Sequence, residues 1–164
     1  MNDLPAPLLQ PARRDRWQPF AVMVVGAAAL SCAMAVRAAD GPAIHINDAG
    51  IEYASGGIGM GEAKLMKQAA NQWPASFEFA IRDGKGGAFA SDVIVNVRDK
   101  SGAAVMTDVV SHGPFLVARL QPGRYDVQAT LAGRTLNQRI NVRVNSPAHS
   151  VFVWPAGTDM SVGS

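Results

Sequence analysis

The stretch LQPGRYDVQATLAGRTLNQRINVRV, residues 120–144, indicates most clearly how this chain folds. From Tyr125 to Leu131 apolar side chains alternate with polar ones, and a second alternating run follows Ala132-Gly133. A period of two is typical of β-strands with one buried and one wet face. Pro122-Gly123 fits the centre of a type II turn, in which proline fixes φ and glycine takes a positive φ. The stretch therefore predicts two half-buried strands separated by a short turn.

The same alternation recurs toward the N-terminus, in residues 76–82 and 93–98. Glycine-rich or proline-containing turn signals separate the runs, at 83–87, 100–102 and 113–114. About seven short strands with a turn every 8–12 residues are typical of an antiparallel sandwich. We expect an all-β fold, an antiparallel Greek-key β-sandwich over residues 73–155.

One helix is expected before the sandwich, over residues 61–71. Ala63, Met66 and Ala70 fall on one helical face, and Pro74 ends the pattern shortly after it. A helix this short needs to dock against the sandwich to persist. We therefore expect residues 39–72 to form an N-terminal extension with a glycine-rich turn and a short helix, and residues 156–164 to form a flexible tail.

The N-terminus has the pattern of a secretory signal. Arg13, Arg14 and Arg16 precede an uncharged apolar run, residues 20–36. Small residues around position 38 predict cleavage after Ala38, so that residues 1–38 are a signal peptide. An uncleaved inner-membrane anchor is the alternative, because the run is at the short limit for a bilayer span. Both interpretations place the remainder in the periplasm, the first by the general secretory route.

Removal of residues 1–38 changes the charge of the protein. The whole chain has 15 Lys and Arg against 13 Asp and Glu, and the segment carries four arginines and two aspartates. The remaining chain is therefore close to neutral and has no basic stripe, which argues against a nucleic-acid partner. The single cysteine, Cys32, is lost as well, so disulfides and thiolate chemistry are not expected.

Residues 111–142 resemble the carboxypeptidase regulatory-like domains, which are prealbumin-like β-sandwiches. The resemblance rests on a leucine, a proline-glycine turn, and a tyrosine and a valine two positions apart, here Leu120, Pro122-Gly123, Tyr125 and Val127. Residues 53–66 also look like a segment of uncharacterised exported proteobacterial proteins that pair a Ser-Gly-Gly-hydrophobic-Gly motif with this sandwich. The similarity covers most of residues 50–144 and departs locally after Gly59, where the relatives often carry acidic residues and this chain has Met60-Gly61-Glu62. It implies a non-catalytic exported module and supplies no functional residues.

The glycine-rich segment YASGGIGMGEAKLMK, residues 53–67, raises the question of nucleotide binding. A P-loop needs a lysine and a hydroxyl residue directly after its last glycine, but Glu62-Ala63 follow Gly61 here, and a carboxylate repels phosphate. No nucleotide is expected. The segment is predicted to be a tight turn that leads into the helix, or a loop that contacts a partner through Gly56, Gly57, Gly59, Glu62 and Lys64.

No metal, cofactor or catalytic motif is predicted. His45, His112 and His149 are far apart in the sequence and each neighbours a turn signal, so they are expected to be solvated loop residues. No Gly-x-Ser-x-Gly nucleophile motif occurs. A Ser/His/Asp triad assembled in space cannot be read from a sequence. The chain is expected not to be an enzyme.

The positions of three aromatic residues predict their roles. Tyr125, just after a turn at a strand start, is expected to bond back to the backbone as a tyrosine corner, with Pro122 and Gly123 as structural neighbours. Trp73 and Trp154 are expected to pack at the ends of the sandwich. If they are exposed instead, they provide the alternative function, binding of carbohydrate or another cell-wall ligand.

The sequence thus favours an exported, non-enzymatic β-sandwich module for protein–protein interaction or structural support in the cell envelope. Its expected contact region is residues 56–71 with the loops at 83–87 and 111–114, and its expected partner is another envelope protein. Loops and one edge strand are the surfaces such a module offers to another chain.

Overall fold

The computed structural model describes residues 41–84 and 86–158. The predicted signal peptide or anchor, Cys32 and residues 159–164 of the predicted tail lie outside this part of the chain. Within the described residues, no helix has the length and apolar character to cross a membrane.

The predicted all-β fold with one short helix is confirmed. The elements in chain order are β1 (His45–Ile46), β2 (Glu52–Gly56), α1 (Met60–Ala70), β3 (Ala75–Asp83), β4 (Gly86–Phe89), β5 (Val93–Asp99), β6 (Ala104–Ser111), β7 (Phe115–Ala118), β8 (Gly123–Leu131), β9 (Arg134–Val142) and β10 (Ala148–Trp154). The strands outnumber the expected seven because several are only two to four residues long, too short for an alternating pattern to register.

The strands form two sheets. Sheet A has six strands in the order β1-β2-β7-β3-β10, with β4 also paired to β3, and sheet B has four in the order β6-β5-β8-β9. Every paired neighbour is antiparallel except β10, which runs parallel to β3 from Ala148 opposite Ala75 to Trp154 opposite Ile81. Side-chain alternation is the same in both orientations, so the sequence could not show this pairing.

The main core fills the space between the sheets. The inward positions of β3, Phe77, Phe79 and Ile81, are at most 6% exposed. Phe79 contacts the rings of Phe152 and Trp154, whose centroids lie 5.9 and 6.2 Å away. Burial of side chains this large contributes about 1.5–3 kcal/mol each. The sandwich is therefore held by apolar packing, as a chain with no cysteine after residue 32 requires.

A two-residue turn joins β8 and β9. Ala132 and Gly133 have φ of 48° and 76° and lie between the paired residues Leu131 and Arg134. Two positive φ values in a two-residue loop are typical of a type I′ turn, which matches the twist of a hairpin.

The predicted type II turn at Pro122-Gly123 is wrong. Gly123 is not among the residues with positive φ in the described chain, and it is already the first residue of β8, opposite Val142. A residue in a strand ladder takes extended dihedrals, whereas a type II turn needs a positive φ at this position.

Helix α1 covers part of the outer face of sheet A. Its buried residues Met66 and Ala69 form a second apolar cluster with residues of β2 and β7 and with a residue that follows the helix: Ala54, Phe115, Val117 and Trp73. Although the sequence predicts an extension over residues 39–72, the described part of this segment contributes β1, β2 and α1 to the same packed body. At the other end, Thr158 is fully buried and its hydroxyl donates to the Pro155 carbonyl at 2.7 Å.

Candidate functional site

The glycine-rich loop between β2 and α1 is shaped by its backbone. Gly57 and Gly59 have φ of 104° and 93°, values that side chains rarely permit. A Cβ on Gly57 would lie 2.5 Å from the Phe115 ring, and a Cβ on Gly113 would overlap the backbone of Gly56. These glycines allow the loop to pack directly on residues 113–115. The structure thus brings the expected contact segments 56–71 and 111–114 together.

The Glu62 carboxylate occupies the concave side of this loop. It accepts a hydrogen bond from the Ile58 backbone N–H at 2.9 Å, and a Cβ on Gly56 would lie 2.9 Å from its carboxyl carbon. An acidic group in the first turn also complements the helix dipole. The position that a phosphate would take in a nucleotide-binding loop is therefore filled by the protein's own carboxylate. Lys64 lies on the exposed side of the helix, away from this position.

Three rows of side chains cross the outer face of sheet A. Read from β10 across β3, the rows are Val153, Ala80 and Phe89; Val151, Glu78 and Phe115; and His149, Ser76 and Val117. Helix α1 covers the β7 end of the second and third rows. It leaves uncovered an area that we call the open strip, formed by Ala80, Phe89, Val151 and Val153.

The open strip is apolar and accessible. Phe89, Val151 and Val153 are 56%, 41% and 44% exposed. Phe89 also contacts Phe115, at 5.7 Å between ring centroids, which joins the strip to the cluster beneath α1. Contiguous exposed apolar side chains on one face mark an interaction surface, whereas single ones do not.

The outer face of sheet B is different in character. Its side chains are paired across strands: Arg139 contacts Asp126 at 2.8 Å, and the hydroxyls of Thr130 and Thr135 are 2.8 Å apart. Arg98 also donates to the Gly102 carbonyl at 3.1 Å. Ile94 and Val110, partners across β5 and β6, add a smaller apolar patch at 38% and 37% exposure. A mainly polar, internally paired surface of this kind is typical of a solvent-facing sheet. The contrast identifies the outer face of sheet A as the candidate functional surface.

Two of the edge strands, β10 and β6, are poorly suited to pairing with another chain. On β10, the Val151 carbonyl accepts a hydrogen bond from the Gln138 side chain of β9 at 2.7 Å. On β6, Asp108 has φ 49° beside an irregular register with β5, and the Asn47 amide occupies the Val105 carbonyl at 2.8 Å. Bulges, charged residues and side-chain caps are how sheets protect their edges. The expected edge-strand contact is therefore disfavoured at both strands.

A cleft lies between α1 and the third row, and it contains a set of polar residues that the sequence did not indicate. Nδ1 of His149 lies 3.0 Å from the Ser76 hydroxyl, and its Nε2 lies 3.8 Å from a Glu78 carboxylate oxygen. Ser76 is 2% exposed, so the hydroxyl that bonds to the imidazole ring is itself fixed by burial. The parallel register of β10 on β3 places His149 directly opposite Ser76, although 73 residues separate them.

The three histidines are exposed as expected, but the expectation that they lie in loops is wrong for two of them. His149 lies in β10 in this cleft, and His45 lies in β1, where its ring is 5.4 Å from that of Tyr53. His112 lies between β6 and β7, 3.6 Å from Asp92. The turn signals beside His149 and His45 gave no indication that these residues lie in short strands. Among the described residues, no group of three or more His, Cys, Asp or Glu side chains is arranged to hold a metal ion.

A serine, a histidine and a carboxylate, the residue types of a hydrolytic triad, meet at Ser76, His149 and Glu78. The surroundings of Ser76 differ from those of a triad serine. A triad serine is exposed beside backbone N–H groups that stabilise an oxyanion. Ser76 is buried in the middle of sheet A, where β3 is paired with β7 on one side and β10 on the other. Its neighbouring amides belong to a sheet, so they provide no oxyanion hole.

Trp73 and Trp154 are both buried, whereas the alternative of carbohydrate binding requires them to be exposed. Trp73 is 6% exposed beneath Arg119, whose guanidinium carbon is 4.6 Å from the ring centroid. Trp154 is fully buried and its indole N–H donates to the Arg134 carbonyl at 2.9 Å. Sugar stacking needs an accessible ring face. Neither residue presents one, because both fill the cores on the two faces of sheet A.

Tyr125 makes the bond expected of a tyrosine corner. Its hydroxyl donates to the Gln121 carbonyl at 2.8 Å, four residues upstream, across the Pro122-Gly123 segment. The ring is 7% exposed. Burial, and secondarily the Asp99 carboxylate opposite it, raise the pKa of Tyr125 above its ordinary value.

Comparison with known proteins adds no relative: no family model and no curated protein matches this chain. The resemblance of residues 111–142 to carboxypeptidase regulatory-like domains therefore stays a prediction.

Proposed function

We propose that this chain is an exported, non-enzymatic β-sandwich module that binds another protein of the cell envelope on the outer face of sheet A. The observation that carries the proposal is the open strip beside α1. A helix or strand laid across it would bury Phe89, Val151 and Val153, which are exposed, next to a helix that already covers the β7 part of the face.

The alternatives within the described residues are weaker interaction surfaces. The outer face of sheet B is mainly polar and internally paired, with Ile94 and Val110 as its exposed apolar side chains. Side chains or irregular register occupy the edges of β6 and β10. The glycines of residues 56–59 have structural reasons for their identity. Ile58 and Met60 beside them are 67% and 94% exposed, two apolar side chains against the three of the open strip. The proposed contact region therefore differs from the one expected from the sequence, because the residues of the open strip lie outside segments 56–71, 83–87 and 111–114.

The non-enzymatic part of the proposal is supported by the buried position of Ser76 and by the polar groups around it. Ser76 lacks the exposure and the adjacent free amides that nucleophilic catalysis requires. The resemblance to non-catalytic exported modules agrees with this interpretation.

The export part of the proposal rests on residues 1–38 and has its own test. The mass of the protein recovered from the periplasmic fraction should correspond to a chain that begins at Ala39. A full-length chain in the membrane fraction would instead support the uncleaved anchor. Recovery only from the cytoplasm would contradict export.

Site-specific photo-crosslinking tests the proposed surface. A photoreactive amino acid replaces Val153 in one variant and Gln128, on the outer face of sheet B, in the other. We expect a discrete crosslinked species of higher mass from position 153 and little from position 128. The crosslink at 153 should weaken when Val151→Asp is added, because a carboxylate in the strip opposes apolar contact. Equal crosslinking at the two positions would contradict the proposal.

A further inference from the structure

Strand β4 is an edge of sheet A that lacks the usual protection of an edge. Within the described residues it pairs only with β3, from Phe89 opposite Ala80 to Gly86 opposite Asp83, without a shift of register. Its sequence, Gly-Gly-Ala-Phe, contains no charged residue and no proline, and all four residues are exposed. Charges, prolines and bulges are the features that keep edge strands from pairing with other chains. The edge of β4 is therefore available for pairing, unlike those of β6 and β10.

Two residues of β4 direct their backbone groups toward this free edge. The Ala90 N–H donates to the Phe79 carbonyl at 3.0 Å. Hydrogen-bonded pairs alternate along an antiparallel ladder, so Ala88, two residues earlier, also directs its N–H and C=O toward β3. Gly87 and Phe89 lie between these positions and direct theirs away from β3. In the part of the chain that the structure describes, no turn, loop or side-chain hydrogen bond satisfies these four groups.

A second copy of β4 matches this edge in a symmetric register. In an antiparallel pairing centred on Ala88, the Gly87 of each copy lies opposite the Phe89 of the other. Both are hydrogen-bonded pairs, and each pair exchanges two bonds, so every free N–H and C=O group of the two strands is satisfied. A register centred on Gly87 or on Phe89 would instead pair a residue of β4 with one outside the strand.

The side chains of β4 suit the same register. A Cβ on Gly87 would lie 3.7 Å from that of Ala80, an ordinary contact, and Gly87 is not among the residues with positive φ. The chain's own fold therefore does not require glycine at this position. In the paired strands the Phe89 ring of one copy would cover the Gly87 of the other, and an aromatic residue across from an edge glycine stabilises a sheet. Ala88, a small residue, would face its own copy.

We propose that two copies of this chain associate through β4, antiparallel and centred on Ala88, so that sheet A continues across a two-fold axis. Such an interface is isologous, because the same strand contributes on both sides. The contact involves few residues, so the association is weak. The pairing goes beyond the proposed function, because Val151 and Val153 lie on β10, on the other side of β3, and stay free in each copy.

Two cysteine variants test the register. Ala88→Cys and Gly86→Cys each replace an exposed residue of β4, in a Cys32→Ser background. The two residues at position 88 would form a non-hydrogen-bonded pair with Cα atoms about 4.5 Å apart, within the range of a disulfide. The two residues at position 86 would be four residues apart along the strands, about 14 Å, which a disulfide cannot span.

We expect the purified Ala88→Cys protein to form a disulfide-linked dimer under mild oxidation at least about tenfold faster than Gly86→Cys, because only the first pair has disulfide geometry. Equal rates at the two positions would overturn the proposal.

A proline variant tests the hydrogen bonds without cysteine. Gly87→Pro removes an N–H that faces the free edge, a position at which edge strands tolerate proline, so urea unfolding should show an intact fold. Sedimentation equilibrium should give an average mass that rises with concentration for the wild type and stays monomeric for the variant. A wild type that stays monomeric up to its solubility limit, or a variant that associates equally, would contradict the pairing. These measurements use the purified protein alone, so their outcome is independent of crosslinking from position 153 in cells.

Discussion

Ala132 lies in a backbone conformation that its side chain disfavours. Its φ of 48° is in the left-handed region, where an L-residue other than Gly, Asn or Asp costs about 1–2 kcal/mol. The tight β8–β9 hairpin imposes it, because both residues of a type I′ turn have positive φ. Tyr125 shows the opposite situation, in which a side chain stabilises a turn by bonding back to it.

Replacing Ala132 by Asn should stabilise the protein by about 0.5–1 kcal/mol, because Asn tolerates the left-handed region and Asn-Gly is favoured in type I′ turns. Urea unfolding of the two proteins measures the difference. Gly133→Ala, which places a Cβ at φ 76°, should destabilise by about 1 kcal/mol and serves as the control. An Asn variant no more stable than the wild type would show that the turn is not strained at this residue.

Tyr125→Phe should cost about 1 kcal/mol, the usual net value of a buried neutral hydrogen bond. The effect should depend on pH. Because the folded state raises the pKa of Tyr125, the unfolded chain releases the phenolic proton first as the pH rises. The contribution of Tyr125 to the free energy of unfolding is therefore complete below about pH 10 and falls at higher pH. The variant lacks this loss, so the stability difference should be constant at lower pH and should narrow as the pH rises above about 10. A constant difference would contradict the raised pKa.

The β2–α1 segment shows how a motif typical of ligand binding serves packing. The absence of a side chain at Gly56 leaves space for Glu62, and its absence at Gly57 leaves space for Phe115. Gly59 directly precedes α1 and has a φ of 93°. The sequence could exclude a phosphate site, because Glu62 stands where a P-loop has lysine. It could not show which glycines were needed for space and which for φ, since that depends on residues 113–115 from a distant part of the chain.

Two glycines of this motif should respond oppositely to the same substitution. Gly57→Ala forces a Cβ to within 2.5 Å of the Phe115 ring at a φ of 104° and should destabilise by about 1–3 kcal/mol. Gly61→Ala lies inside α1 with open space around it and should stabilise by about 0.5–1 kcal/mol. Chemical denaturation of both variants checks this. Similar effects of the two would refute the structural interpretation of the motif.

For the complete fold, the alternation of apolar residues was sufficient to predict two packed sheets. The inward positions of β3, β5 and β8 are those that the pattern indicated. The pattern could not show the parallel pairing of β10 with β3, and this pairing creates both the open strip and the His149 cleft. Long-range register depends on loops and packing, so residues such as Ser76 and His149 become neighbours without a local signal.

The central claim, that a partner covers the open strip, is tested most directly by cysteine accessibility in intact cells. Val153→Cys and the control Gln128→Cys are introduced in a Cys32→Ser background, and their rates of reaction with a maleimide are measured in cells and on the purified protein. We predict that position 153 reacts at least fivefold more slowly in cells than when purified, whereas position 128 reacts at the same rate in both. Equal ratios at the two positions would contradict the claim.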